Sequence, residues 1–208
     1  MKFIDRADAG RQLAKSLEHL RGEHAVVLGV PRGGVAVAKE IAFQLGLPLD
    51  VVIVRKLGVP FHEELALGAI AEGGVKVIDE SVVRSTGMAE SEIPEIELRE
   101  SRELRRREHH IRLLHPARPL MGKTAIVVDD GIATGSTSRA ACAVARQRGA
   151  SQVILAIPVA PEGWSENFRG VADECICVHE PRHFQGVGQF YESFGQLTDG
   201  DVDELLES

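Results

Sequence analysis

The chain has 208 residues, with 24 Lys and Arg against 31 Asp and Glu, 8 His, 21 Gly, 9 Pro and 3 Cys; 44% of residues are apolar and only 4% aromatic. A chain of this length buries most of its apolar surface in one compact core, so a single domain is expected and no disulfide or metal staple is needed. The apolar content excludes intrinsic disorder, no run approaches the ~18 apolar residues of a membrane-spanning helix, and the net charge of −7 counts against nucleic acid, whose binding draws on Lys and Arg.

The opening MKFIDRADAG sets acids and Arg within its first eight residues and lacks the apolar stretch of a secretory signal, so a cytoplasmic location is expected. Residues 8–21 place Leu13, Leu17 and Leu20 on one helical stripe, and HAVVLGV (24–30) is a short apolar run of the kind buried parallel strands show. GVAVAKEIAFQLG (34–46) reads as a helix closed by Gly46, and LDVVIV (49–54) as a second buried strand, completing a strand-helix-strand unit. In residues 55–78, Gly58, Pro60, Gly73 and Gly74 bracket LALGAI and VKVI, which predicts a long loop followed by a hairpin.

Residues 91–114 read as one exposed helix that Ser91 can cap, with Pro94 in its first turn and Glu95/Arg99, Glu103/Arg107 and Glu108/Arg112 as i,i+4 pairs on a solvated face. His109 and His110 lie on that face and receive no role. KTAIVV (123–128), a helix at 136–149, QVILAIPVA (152–160), strand-like ECICVH (174–179) and a helix at 199–207 that Thr198 or Asp199 can cap complete the pattern. Cys175 and Cys177 share one strand face, and with only His179 nearby they are read as thiols rather than metal ligands. The expected fold is therefore α/β, a mostly parallel twisted sheet flanked by helices, with no repeat or composition break to mark a second domain.

The most informative segment is AIVVDDGIATGSTSRAA (125–141): an apolar strand ends in Asp129 and Asp130 and runs through GIATGST into a helix. Ligands of parallel α/β folds collect at the carboxyl ends of strands. A Gly-, Ser- and Thr-rich loop at a helix N-terminus offers N–H groups, hydroxyls and the positive end of the helix dipole to a phosphate, and Thr134, Gly135, Ser136 and Thr137 are placed for this. Carboxylates beside such a site would repel phosphate; they suit the vicinal hydroxyls of a sugar. Phosphate plus diol implies a ribose phosphate.

VVDDGIATGST (127–137) resembles the phosphoribosyl-pyrophosphate motif of the type I phosphoribosyltransferases. The resemblance extends over about residues 24–160. It implies a core there, with a small hood drawn from the N-terminal segment, residues 79–122, the C-terminal segment or several of these, and a flexible hairpin loop. By matching position it implies that Asp129 and Asp130 bind the ribose hydroxyls while Gly131, Ile132, Ala133, Thr134, Gly135, Ser136 and Thr137 form the 5′-phosphate loop. GVPRGG (29–34) is similar to the family's pyrophosphate loop, often built with a non-proline cis peptide, which assigns Pro31, Arg32, Gly33 and Gly34 to it. Adjacent glycines at a strand-to-helix turn independently permit close backbone approach to a ligand. VRKLGVPFHEE (54–64) resembles the mobile catalytic loop, which makes Arg55 and Lys56, with Arg32, the groups expected to stabilise charge on departing pyrophosphate. The resemblance further implies Mg2+ held mainly by substrate oxygens, with no dedicated protein cage, a nitrogenous base as second substrate, and a homodimer.

Ala133 stands where the 6-oxopurine enzymes carry an acid, so hypoxanthine and guanine become poorer candidates for the base. Trp164, Phe184, Phe190 and Tyr191 can stack on a base but are read as core. GKT at 122–124 lacks the earlier glycine of a nucleotide-triphosphate loop, since residue 117 is Ala, and it precedes a strand rather than a helix. Two other activities share these features: a regulatory protein that binds phosphoribosyl pyrophosphate or a nucleotide without turnover, and a hydrolase of a phosphorylated sugar.

Overall fold

The computed structural model describes residues 1–59, 62–88 and 90–207. Its helices are α1 (Arg6–Ser16), α2 (Gly33–Leu45), α3 (Glu80–Thr86), α4 (Ile93–Leu114), α5 (Ser136–Gln147) and α6 (Asp199–Glu207). Its strands are β1 (Ala25–Gly29), β2 (Leu49–Val51), β3 (Val54–Val59), β4 (His62–Ala71), β5 (Lys76–Ile78), β6 (Thr124–Val128), β7 (Gln152–Val159) and β8 (Glu174–His179). Among the described residues no helix is long and apolar enough to cross a membrane.

Five strands form a parallel sheet in the order β2-β1-β6-β7-β8. Because successive side chains alternate between faces, Val27, Ile126 and Ile154 meet Leu13, Leu17, Ile41 and Leu45 of α1, α2 and the turn between α1 and β1. Val26, Val127 and Leu155 meet Ala141, Val144 and Ala145 of α5 on the other face. The near-continuous apolar runs legible in the sequence are thus strands covered on both sides. β1 and β6 are neighbours, but the chain leaves β1 through α2 toward β2 and leaves β6 through α5 toward β7, in opposite directions. The crevice where parallel α/β sheets take their ligands opens at such a switch point.

The structure changes three of the sequence expectations. The strand expected over 49–54 stops at Val51: Val52 still donates to the Gly29 carbonyl at 3.0 Å, after which the chain leaves for a second sheet at Val54. The long loop expected after it is largely strand, because β3, β4 and β5 form an antiparallel sheet in that order. The part read as a hairpin is present, Gly68 facing Ile78 and Ile70 facing Lys76. Gly58, taken as a loop signal, sits where the β3–β4 register shifts, a use of glycine characteristic of a bulge; Pro60 and Phe61 lie outside the described residues.

The third change concerns α4. Ile96, Leu104 and Ile111 are buried against Leu57, Leu67 and Ile70 of the second sheet, so the helix is amphipathic rather than exposed all round. Its i,i+4 pairs also give way. Arg112 turns inward to Asp50 Oδ1 at 2.7 Å and Glu72 Oε2 at 2.9 Å, and Arg107 reaches Asp199 at 2.8 Å. Asp50 and Glu72 are buried, and a buried carboxylate left unpaired costs far more than an exposed helix pair returns. The cap expected at the last helix is present as a reciprocal pair: Asp201 N donates to Thr198 Oγ1, and Thr198 N donates to Asp201 Oδ2 at 2.6 Å.

Candidate functional site

At the end of β6 the Asp130 N–H donates back to Asp129 Oδ1 at 2.9 Å, and the Ser138 hydroxyl, in the first turn of α5, donates to Asp129 Oδ2 at 3.1 Å. Asp129 is consequently turned inward while Asp130 is partly exposed. Between them and α5 the loop is pinned at one point, Ile132 N donating to the Val159 carbonyl of β7 at 3.0 Å, with the Ile132 side chain buried. Ala133 and Thr134 are exposed at its crest, Gly135 takes the position before the helix at φ +81°, and Ser136 and Thr137 open α5. The hydroxyl-rich stretch therefore does stand at a helix N-terminus whose first N–H groups have no intrahelical partners.

The turn after β1 approaches from the neighbouring strand, with a cis peptide between Pro31 and Arg32. A Cβ on Gly34 would lie 2.6 Å from the Val128 carbonyl oxygen and 2.8 Å from Asp129 Cα, and one on Gly33 would run into the Asp130 carboxylate. Only glycines let this turn lie against the acid pair. The structure thus brings together Pro31, Arg32, Gly33 and Gly34, the acid pair and residues 131–137. Arg32 is exposed, and no ion pair among the described residues engages it.

Arg55 and Lys56 are separated by the pleat of β3. Arg55 lies opposite Ile70 and points to α4, where Nη2 meets Glu100 Oε2 at 2.7 Å; exposed Lys56 lies opposite Ala69, on the α5 side. Arg107 on α4 lines one small cavity with Pro31 and Asp199, and burial, followed by the positive charges of Arg55 and Arg32, holds its guanidinium below its ordinary value against the pull of Asp199.

Burial, followed by the negative charge on Asp130, pushes the Asp129 carboxyl well above the ordinary carboxylate range. Burial also raises Asp130, against the opposing pull of Arg6. Two adjacent carboxylates in a poorly solvated crevice do not both hold a full charge cheaply. Arg6 and Tyr191 are contributors that sequence reading did not find. Arg6 Nε donates to Asp130 Oδ2 at 2.7 Å, and the Tyr191 hydroxyl donates to the Asp130 carbonyl at 2.6 Å. No local pattern links residues 124 and 61 positions apart. Ser138 was closer to legible, lying just beyond the hydroxyl loop in the first turn of the helix.

Of the aromatic residues considered, Trp164, Phe190 and Tyr191 are buried, as read, and Phe184 is half-buried and stacked on Phe190. Phe3, Phe190 and Tyr191 form a separate small core in which Phe3 N donates to the Phe190 carbonyl at 2.8 Å, so the N-terminal segment and residues 187–194 are joined. A Cβ on Gly131 would strike Val187 at 2.5 Å, which places this joined layer directly over the loop that follows the acids.

An open parallel sheet with an acid pair at its switch point, followed by a hydroxyl-rich loop that starts a helix, is the type I phosphoribosyltransferase fold, with a small antiparallel sheet added. The chain belongs to the phosphoribosyl transferase domain family, whose model matches residues 4–192. It is 50% identical over 205 residues to "Putative phosphoribosyl transferase Rv0571c" of Mycobacterium tuberculosis strain H37Rv, and equally to the MT0597 protein of strain CDC 1551. The match covers 99% of this chain and 46% of each relative, so the chain spans about half their length. The crystal structure of TT1426 from Thermus thermophilus is similar at 41% identity and a TM-score of 0.80, covering 99% of this chain and 98% of that one.

Proposed function

We propose that the chain catalyses Mg2+-dependent transfer of the ribose 5-phosphate group from phosphoribosyl pyrophosphate to a nitrogen nucleophile, a base or related compound, with release of pyrophosphate. The observation that carries this reading is the fit of three elements: the Asp129–Asp130 pair, the Pro31–Gly34 turn lying against it, and the 131–137 loop opening α5. In this reading Asp129 and Asp130 accept hydrogen bonds from the ribose diol. Gly131, Ile132, Ala133, Thr134, Gly135, Ser136 and Thr137 hold the 5′-phosphate through backbone N–H groups and hydroxyls. Pro31, Arg32, Gly33 and Gly34 receive the pyrophosphate.

Among the described residues no three His, Cys, Asp or Glu side chains gather into a metal cluster. The adjacent carboxylates of Asp129 and Asp130 are hard oxygen donors that suit Mg2+ carried in mainly on the substrate's own oxygens, the two acids assisting through water. Held there, Mg2+ would supply positive charge to offset the negative charge that grows on the leaving pyrophosphate. Arg32, Arg55 and Lys56 add to that stabilisation, and their contribution counts to the extent that it is larger in the transition state than in the ground state. The joined layer of residues 3–4 and 187–194 is the hood over the base, in a homodimer of cytoplasmic chains working in nucleotide metabolism.

Calorimetric titration with phosphoribosyl pyrophosphate, with and without Mg2+, tests the site. Wild-type protein is expected to bind with Mg2+ present, and Asp129→Asn with Asp130→Asn to lose on the order of 1.5–3 kcal/mol, the worth of the charge-assisted hydrogen bond that the outward Asp130 accepts. Unchanged affinity in the double variant would remove the acids from the site. The Arg55–Glu100 ion pair supports a second reading, a binding protein on the same fold, because it leaves Arg55 neutralised rather than presented. Pyrophosphate release across a panel of bases separates the two readings: release with any base gives the enzyme, tight binding without release the binder.

A further inference from the structure

Arg6 opens α1 and turns its guanidinium away from solvent, leaving the side chain 12% exposed. Nε donates to Asp130 Oδ2 at 2.7 Å, Nη1 donates to the Gly195 carbonyl at 2.8 Å, and the guanidinium carbon lies 4.0 Å over the Phe194 ring. A Cβ on Gly33 would fall 2.8 Å from the same Nε, so the guanidinium also lies against the turn after β1. One side chain therefore meets three segments far apart in the sequence: the acid pair, the glycine turn and the C-terminal part of the overlying layer.

None of these contacts is required to make α1. The helix is capped by Asp5, whose carboxylate accepts from Asp8 N at 2.7 Å, and it is seated by buried Ala9, Leu13 and Ala14. Burying a guanidinium is costly unless it is fully paired. Here its planar fork is used in two directions, one N–H on a carboxylate and one on a main-chain carbonyl, a geometry that lysine cannot reproduce. The result is a carboxylate with one oxygen fixed. Asp130 Oδ2 is held from the protein side, which orients the remaining oxygen and supplies a positive charge beside two adjacent acids.

We propose that Arg6 is a positioning residue for the sugar diol: it holds Asp130 so that its carboxylate accepts from a ribose hydroxyl, without itself touching the ligand. This rests on the reading of Asp129 and Asp130 as diol acceptors. It also gives the N-terminal segment a part in recognition, since the orientation of Asp130 then depends on where α1 begins and on the Gly195 carbonyl that shares Arg6.

The test uses two probes on the intact protein with Mg2+: ribose 5-phosphate, which carries the diol, and inorganic pyrophosphate, which does not. Arg6→Ala is expected to weaken ribose 5-phosphate binding about tenfold while leaving pyrophosphate within about twofold, with Arg6→Lys intermediate. Because Arg6 acts through Asp130, Arg6→Ala is expected to have no further effect in an Asp130→Asn background, the signature of a coupled pair. Equal loss for both probes, an undiminished loss in the Asp130→Asn background, or ribose 5-phosphate affinity that is unchanged or tighter in Arg6→Ala would each overturn the positioning role. Should Arg6→Ala not fold, Arg6→Lys carries the same comparison. Wild-type protein that takes pyrophosphate but not ribose 5-phosphate would instead overturn the diol reading, and wild-type protein that takes neither would overturn the site as a whole.

Discussion

At Gly34 one methyl group would meet two main-chain atoms of the adjoining strand, at 2.6 and 2.8 Å, neither of which belongs to a flexible side chain. Gly34→Ala therefore has to move the turn or the acid pair, and overpacking of this kind costs about 1–3 kcal/mol. The expected result is a lower melting temperature together with weaker phosphoribosyl pyrophosphate binding. Gly186 provides the contrast. Its backbone is extended and a Cβ added there would meet nothing within 4 Å, so Gly186→Ala is expected to be neutral or to stabilise by about 0.4–1 kcal/mol through the unfolded chain. Equal losses for the two variants in thermal melts would show that close approach is not what Gly34 provides. The sequence marked the paired glycines as room for a ligand; in the fold that room is taken first by Asp129 and Asp130, a partner that local spacing could not reveal.

Among the elements, β2, the turn after β4, α4 and the residue that closes α5, Arg148, are joined by a buried charge network. Asp50 accepts from Arg112 and from Arg148, both at 2.7 Å, and Glu72 accepts from Arg112 at 2.9 Å. Burial by itself would raise both carboxyls. At Asp50 the charges and hydrogen bonds of the two arginines outweigh burial and hold it below its ordinary 3.8; at Glu72 burial prevails and the carboxyl stays above its ordinary 4.5. The fold thus favours ionised Asp50 and disfavours ionised Glu72. Asp50→Asn is expected to cost about 3–5 kcal/mol in urea denaturation, the range for breaking a buried pair, and Glu72→Gln distinctly less. Because the folded value of Asp50 is depressed, its contribution is fully present above pH 3.8 and is lost as pH falls through the lower folded value. The margin between wild type and Asp50→Asn should therefore be flat above about pH 4 and narrow below it, and a margin that widened in acid would contradict the assignment. The sequence offered Glu108 as the partner of Arg112, since helical spacing is visible in a linear text. A partner on another strand is not, and buried demand decided the pairing.

At the scale of the whole molecule the legible part was the doubly covered parallel sheet, because apolar runs, the Gly46 and Thr198 caps and the Asp129–Thr137 segment are local signals. The cap offered by Ser91 was not found, since Glu92 precedes α4 and makes no side-chain cap bond. The hidden part was what the two ends of the chain do. The N-terminal segment joins residues 190–193 over the acid pair, and α6 returns to α4, where Asp199 meets Arg107 at 2.8 Å and Asp203 meets His110 at 2.9 Å. Val202 anchors α6 in the cluster that holds Leu104 and Ile111. Asp199 is consequently a counter-charge for an arginine that also feels Arg32 and Arg55. Removing that anion leaves the cationic side of the glycine turn more positive, which draws a phosphate anion more strongly. Asp199→Asn is expected to tighten binding of inorganic pyrophosphate by about two- to fivefold at low ionic strength, the factor matching a partly exposed ion pair worth roughly 0.4–1 kcal/mol. Because Asp199 is 39% exposed at its side chain, salt should screen the effect, and the two proteins should converge near 1 M salt, where the screening length is about 3 Å. A gain that persisted undiminished at high salt would mean that α6 acts by blocking the turn rather than through its charge, and an unchanged affinity at low salt would place Arg107 outside the field that the pyrophosphate senses.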